Sequence, residues 1–115
     1  MRRVIASVAH ETPERAPLRV DVGDRVEVGG RDTDWPAFVF VTTARGSGWV
    51  PGRHLSGTAA GPATVVTPYD TTELPTEVGQ ALDVLAEDPE SGWLWCRDTS
   101  GREGWVPVRT VADVD

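Results

Sequence analysis

The chain contains no lysine; all eleven basic residues are arginine. That excludes a Schiff-base lysine and a phosphate-binding loop closed by lysine. The arginine-only bias reads as the codon usage of a GC-rich genome, so the expected source is bacterial, and actinobacterial in particular. Cys96 is the single cysteine. An internal disulfide is therefore impossible, and the expected role of Cys96 is that of a small buried hydrophobe. No apolar run approaches the roughly 18 residues of a membrane span. The opening "MRRVIASVAH" has too short an apolar stretch for a signal peptide and reads as a first strand. With a lone thiol, these absences point to the cytoplasm. No nucleophile elbow, zinc-protease helix or phosphate loop is present, so the chain is not expected to be an enzyme and no cofactor is implied.

What is present favours strands. Valine, threonine, glycine and proline are abundant, and helix-favouring composition is weak. Charge is uneven. Residues 1–60 hold 8 arginines against 7 acids, whereas residues 61–115 hold 3 against 11, within an overall charge of −7. The acidic second half repels nucleic acid and anionic membrane surfaces and attracts cationic partners.

The tetrapeptide "GWVP" occurs twice, at Gly48–Pro51 and Gly104–Pro107, 56 residues apart. The same interval separates Leu18 from Leu74, "VGD" at 22–24 from "VGQ" at 78–80, and "RVEV" at 25–28 from "ALDV" at 81–84. Several anchors in one register indicate a tandem duplication. Between the copies lies "SGTAAGP", Ser56 to Pro62, with the composition of a linker. The expected organisation is one domain over 1–57, a linker over 58–62 and a second domain over 63–115. Alternation in "RVEV" and "ALDV" predicts half-buried strands. "AFVFV" and "WLWC" supply the next strands, and a glycine-bearing turn returns into "GWVP". Each proline then starts a single 3₁₀ turn.

This layout resembles the Src-homology-3 (SH3) family. The second half carries "VVTPYD", "ELPTEVGQALDVL", "GWLW" and "GWVPVRTV", and the first the more divergent "VAHET", "LRVDVGDRVEV", "WPAFVF" and "GWVPGRHL". The resemblance implies an all-β chain of two tandem five-stranded SH3-like barrels. It further implies aromatic-lined surfaces for protein or peptide partners, proline-rich or arginine-containing, in an extended left-handed conformation.

Carried onto this sequence, the peptide-binding residues of the second half are Tyr69, Asp70, Glu73, Trp93, Trp105 and Pro107, with the acids receiving a ligand cation. Thr67, Arg109 and Thr110 depart from the family pattern there. In the first half His10 aligns with Tyr69, His54 takes the closing tyrosine position, and Trp49 and Pro51 are retained. Trp35 or Ala37 takes the position of Trp93, on a face opposite Phe38 and Phe40. Pro17 stands where Glu73 stands. The two histidines lack close ligand spacing, and no metal is expected. Three readings follow: a non-catalytic adaptor whose acidic second domain suits arginine-bearing extended peptides; a structural tandem or homodimer whose SH3-like faces pack on each other; or bacterial cell-wall peptide binding. The sequence sets no oligomeric state.

Overall fold

The computed structural model describes residues 2–114. In chain order it contains β1 (Arg3–Ala6), β2 (Arg19–Val20), β3 (Arg25–Arg31), β4 (Phe38–Thr43), β5 (Gly46–Pro51) and a 3₁₀ turn (Gly52–His54). There follow β6 (Gly61–Thr64), β7 (Tyr69–Asp70), β8 (Ala81–Asp88), β9 (Trp93–Arg97), β10 (Glu103–Pro107), a second 3₁₀ turn (Val108–Thr110) and β11 (Val111–Asp113). No α-helix occurs among the described residues, in line with the all-β expectation.

The chain forms two compact units, but not the sequential pair that the repeat predicts. One unit is Arg15–Thr71; the other joins the residues up to Glu14 to those from Thr72 onward. Two structural facts separate this division from the expected boundaries at 1–57, 58–62 and 63–115. The expected linker is not free: β6 begins at Gly61 and pairs with β3, placing Pro62 opposite Glu27. And β1 pairs with β8 and β11, not with the half of the chain next to it. The body from Thr72 onward has taken its first strand from the far end of the sequence, and the Arg15–Thr71 body takes β6 from the segment that follows it. Pairing follows register and side-chain fit, and proximity along the chain does not override them.

Three offsets relate the units. β4 and β9 correspond at 55 residues, with Phe40 opposite Trp49 as Trp95 is opposite Trp105. The other strands of the bodies correspond at 56: Gly23 and Gly79 both turn at positive φ (91° and 93°), and β3 and β8 both carry a bulge, after Val28 and after Val84. The first-strand segments are offset by three more. Val4 opposes Leu82 as Ala63 opposes Val26. The Gly79 N–H donates to the Ala6 carbonyl at 2.8 Å, as the Gly23 N–H donates to the Val65 carbonyl at 2.8 Å. His10 bridges Thr76 as Tyr69 pairs with Val20.

In the unit built on β1, the strand order is β10-β9-β8-β1-β11. Laid flat, its outer strands would stand roughly 19 Å apart at the usual spacing. Yet Val4, Leu82, Val84, Leu94, Cys96 and Val106 form one core cluster with Leu74, and Val111 packs against it. The sheet must therefore curl, and the β8 bulge at Val84/Ala86 supplies the bend. The edges remain open, so five strands are present without a closed ladder. The Arg15–Thr71 unit has a four-stranded sheet, β5-β4-β3-β6, and the two-stranded pair β2-β7. Its inward positions, Val26, Val28, Val39, Val41, Val50 and Val65, are buried. The expected pair of closed five-stranded barrels thus corresponds here to two open-sheet units.

Each residue of "GWVP" has its own task. Val50 and Val106 point inward and are fully buried. Trp49 faces outward across the ladder from Phe40, ring centroids 5.1 Å apart, and Trp105 faces Trp95 at 5.2 Å, both edge-on. Such pairs add to strand pairing beyond the area they bury. Pro51 and Pro107 end their strands and cap the 3₁₀ turns, where no ladder bond is lost. Gly104 is required by a close approach. The segment Thr72–Leu74 runs parallel over β10: the Trp105 N–H donates to the Thr72 carbonyl at 2.9 Å, and the Leu74 N–H to the Trp105 carbonyl at 3.0 Å.

The two glycines offer an internal control. A Cβ on Gly104 would lie 2.7 Å from the Leu74 nitrogen and 2.8 Å from the Glu73 carbonyl carbon, both backbone; on Gly48 it would meet the Thr71 side chain at 3.3 Å. Gly104→Ala should cost about 3 kcal/mol or prevent folding, and Gly48→Ala about 1 kcal/mol or less. Urea unfolding midpoints of the two variants measure the difference.

Burial pushes the Cys96 thiol up to about 11, with the Arg2 charge pulling weakly the other way. Alkylation at neutral pH should be slower than for a free thiol by a factor of about 10² or more, and should recover in denaturant. Stopped-time labelling read by mass spectrometry checks this.

The β9–β10 turn is held by one carboxylate. Asp98 accepts from the Ser100 hydroxyl (2.7 Å), the Ser100 and Arg102 N–H groups (2.9 and 3.0 Å) and Arg102 Nε (3.0 Å). The Ser100 hydroxyl first, then Arg102 and the backbone donors, hold this carboxyl below its ordinary range. Its folded value lies below its unfolded one, so its contribution is full at neutral pH and drains away as pH falls through the carboxylate range. The stability gap between parent and Asp98→Asn should therefore be widest near pH 7 and close on acidification, as followed by thermal melts across pH.

Candidate functional site

The strand exchange sorts the expected site residues into two new sets. His10, Glu73, Trp93, Trp105 and Pro107 lie in the unit built on β1; Trp35, Trp49, Pro51, His54, Tyr69 and Asp70 lie in Arg15–Thr71. Tyr69 and Asp70 therefore do not share a unit with Glu73 and Trp93. His10 takes the place beside Trp93 that Tyr69 was expected to hold.

In the first set, His10 is pinned from three sides. Its backbone exchanges hydrogen bonds with Thr76, 3.1 Å in each direction. Its Nε2 lies 2.8 Å from the Glu73 carboxylate, and its ring meets Trp93 edge-on at 5.5 Å. Trp93 is opposite Pro107 at the end of the β9–β10 ladder and is only 8% exposed, so it is a covered wall and not an open platform. Trp105 is half-buried and leans on Trp95, whose indole N–H donates to Glu103 at 2.9 Å. Thr110 closes the set; its hydroxyl donates to the Pro107 carbonyl at 2.8 Å. Beside His10 an open cleft is lined by Glu11, Thr12, Thr76, Glu77, Gln80 and Arg102, which mixes two carboxylates with one guanidinium.

The second set repeats the plan with other side chains. Tyr69, 9% exposed, meets His54 edge-on at 5.2 Å and Phe38 at 6.4 Å. The His54 Nδ1 lies 3.1 Å from the Pro68 carbonyl and 3.2 Å from that of Thr67. Both carbonyls accept, so Nδ1 carries the proton. Asp70 stands opposite Arg19 in the β2–β7 pair. The Arg15 guanidinium lies 5.1 Å over the Phe40 ring, which in turn meets Trp49.

One position differs from the sequence expectation. Phe38 is opposite Pro51 as Trp93 is opposite Pro107, and Phe38 packs on Tyr69 as Trp93 packs on His10. Phe38, not Trp35 or Ala37, is therefore the counterpart of Trp93. Trp35 precedes β4 in a bend, where its N–H approaches the Asp32 carboxylate at 3.4 Å. Val39, the residue after Phe38 along β4, is in the core at 1% exposure. Counting back from "GWVP" along the ladder finds Phe38; looking for a second tryptophan does not.

The family model described as SH3 domain matches residues 67–108. That match begins in one unit, at β7, and continues through β8, β9 and β10 of the other. SH3 and PX domain-containing protein 2B is 27% identical over 123 residues in both Homo sapiens and Mus musculus, covering 94% of this chain and 13% of the relative. BAR/IMD domain-containing adapter protein 2-like 2 of Danio rerio is 30% identical over 114 residues, covering 89% of this chain and 22% of the relative. The chain thus spans less than a quarter of the length of these curated relatives. They are animal proteins, whereas the arginine-only composition had suggested a bacterial source. No solved structure matches. Residues 67–108 match the SH3 domain model, and the similarity is to SH3-containing and adapter proteins.

Proposed function

We propose that the chain is a non-catalytic protein-interaction module. The SH3 match at residues 67–108, together with relatives that include an adapter protein, carries this reading. The side chains around Glu73 say what such a module would take. Half-buried Trp105, the edge of Pro107 and the Glu73 carboxylate lie on one unit with His10. An extended peptide that lays an apolar residue near Trp105 and an arginine toward Glu73 suits that chemistry. His10 already occupies Glu73, so an incoming guanidinium must displace or share that contact. The expected ligand is therefore one with a bidentate arginine, since a single ammonium offers less in exchange.

A second reading has support in the burial of the rings. Trp93, Tyr69 and His54 are each at most 9% exposed, and side chains so covered serve the fold itself. Under that reading Trp105 and Trp49 are framework, and no peptide is bound at either set.

Titration of the full chain with a proline-rich peptide carrying one arginine, followed by tryptophan fluorescence, separates the two. Binding should weaken by about tenfold between low and ~0.5 M salt, because the pair is partly solvent-exposed. Glu73→Gln should lower affinity several-fold while leaving the melting temperature nearly unchanged. No saturable response from parent protein, or equal affinity in Glu73→Gln, would move the assignment to the structural reading.

A further inference from the structure

The two bodies offer the N-terminal segment the same backbone edge. β3 and β8 both accept an antiparallel first strand at the same register, with Val26 opposite Ala63 and Leu82 opposite Val4. The turn glycines that cap this pairing, Gly23 and Gly79, share one conformation. Backbone geometry alone therefore does not decide which body the segment 2–14 enters, and the nearer body would cost less chain to reach. Yet the segment lies in the distant one.

The side chains distinguish the two docks. In the observed dock Arg2 lies 2.5 Å from Glu87 and 2.8 Å from Asp113. Arg3 lies 3.1 Å from Asp83, and His10 2.8 Å from Glu73. The Thr76 hydroxyl also accepts from the His10 N–H at 3.2 Å. Fifty-six residues earlier, the adjacent body has Arg31 in place of Glu87, Gly57 in place of Asp113, Pro17 in place of Glu73 and Val20 in place of Thr76; only Glu27 matches Asp83. Arg2 would there face a like charge and no acceptor. The other first strand has nothing to lose in the reverse choice. Gly61 and Pro62 stand where Arg2 and Arg3 stand, and Tyr69 where His10 stands. Each exposed ion pair is weak alone, but these act together on a single choice between otherwise matched edges.

We propose that Arg2 and His10 are the specificity determinants of the strand exchange, directing the N-terminal segment into the body from Thr72 onward through Glu87, Asp113 and Glu73, carboxylates whose counterparts the adjacent body lacks. The concentration of acids in the second half of the sequence then has a structural purpose: it labels one dock for one strand.

Disulfide trapping in the full chain tests this. Ile5 is opposite Ala81 in the observed pairing, and Arg25 is the corresponding residue of the adjacent body. Directly opposed residues sit about 4.5–5.5 Å apart at Cα, within disulfide reach. Ile5→Cys/Ala81→Cys and Ile5→Cys/Arg25→Cys are oxidised in parallel and the links counted by non-reducing peptide mapping; buried Cys96 does not compete. The 5–81 link should exceed the 5–25 link by about tenfold or more. Arg2→Glu should lower that ratio by about tenfold, and Glu87→Arg with Asp113→Arg in the same chain should restore it. Should the reversal prevent folding, Arg2→Gln and a salt series on the parent pair replace it, with the ratio falling in both. A ratio indifferent to charge reversal, to neutralisation and to salt would overturn the proposal, as would equal trapping at 25 and 81 in the parent.

Discussion

The two-sided pairing of β1 is the constraint on which one unit depends. Residues Arg3–Ala6 have β8 on one side and β11 on the other, with Val4 opposite both Leu82 and Asp113. Val4 and Ala6 face inward and are buried. Without this strand, β8 and β11 would each lose a ladder, and the core cluster around Leu82 and Val106 would lose Val4. A strand that satisfies two edges at once leaves few alternatives for its own backbone groups, which must be paired when buried. The same constraint brings His10 to Thr76, and so sets where His10 meets Glu73 and Trp93. Site geometry here is a consequence of strand pairing.

The aromatic residues fall into two kinds under that geometry. Trp49 and Trp105 sit on the outer face of the β4–β5 and β9–β10 ladders, each paired edge-on with the residue across from it. Phe38 and Trp93 sit at the far ends of the same ladders, opposite the prolines, and are covered by Tyr69 and His10. The covering residue comes in each unit from the exchanged segment. The pairing at these points is a tyrosine with a histidine fifteen residues before it in Arg15–Thr71, and a histidine with a glutamate from the opposite part of the sequence in the other unit.

Local features of the fold were legible in the sequence wherever one side chain had one local reason. Alternation in "RVEV" and "ALDV" marked β3 and β8, because the period-2 pattern has no other solution on a half-buried strand. The prolines of "GWVP" marked the 3₁₀ turns, and Cys96 was assigned inward from its neighbours in "WLWC". The partner of β1 was not legible in the same way. The β3 and β8 edges carry the same alternating hydrophobic pattern, and hydrophobic patterning cannot tell such edges apart. The distinguishing signal was the charge imbalance between the halves, which was visible as composition but had no address until Arg2, Glu87 and Asp113 were seen together. Phe38 was missed for a related reason: the expectation took Trp35 by residue type or Ala37 by the 56-residue interval, whereas β4 and β9 correspond at 55.

A family pattern read as a contiguous motif describes the sequence, and the folded surface need not respect it. The SH3 match runs without a break from residue 67 to 108, yet the chain leaves one compact unit and enters the other between Thr71 and Thr72. Tyr69 and Asp70 belong by motif with Glu73 and by fold with Trp49. In an unexchanged tandem, each surface would be encoded by one continuous half and could diverge independently. With the N-terminal segment placed in the distant body, the surface around Glu73 is assembled from both ends of the chain, so a substitution at His10 alters the surroundings of Glu73 more than sixty residues away. The two bodies share a strand pattern and differ in the charges that face the N-terminal segment, so neither half of the sequence can be read alone.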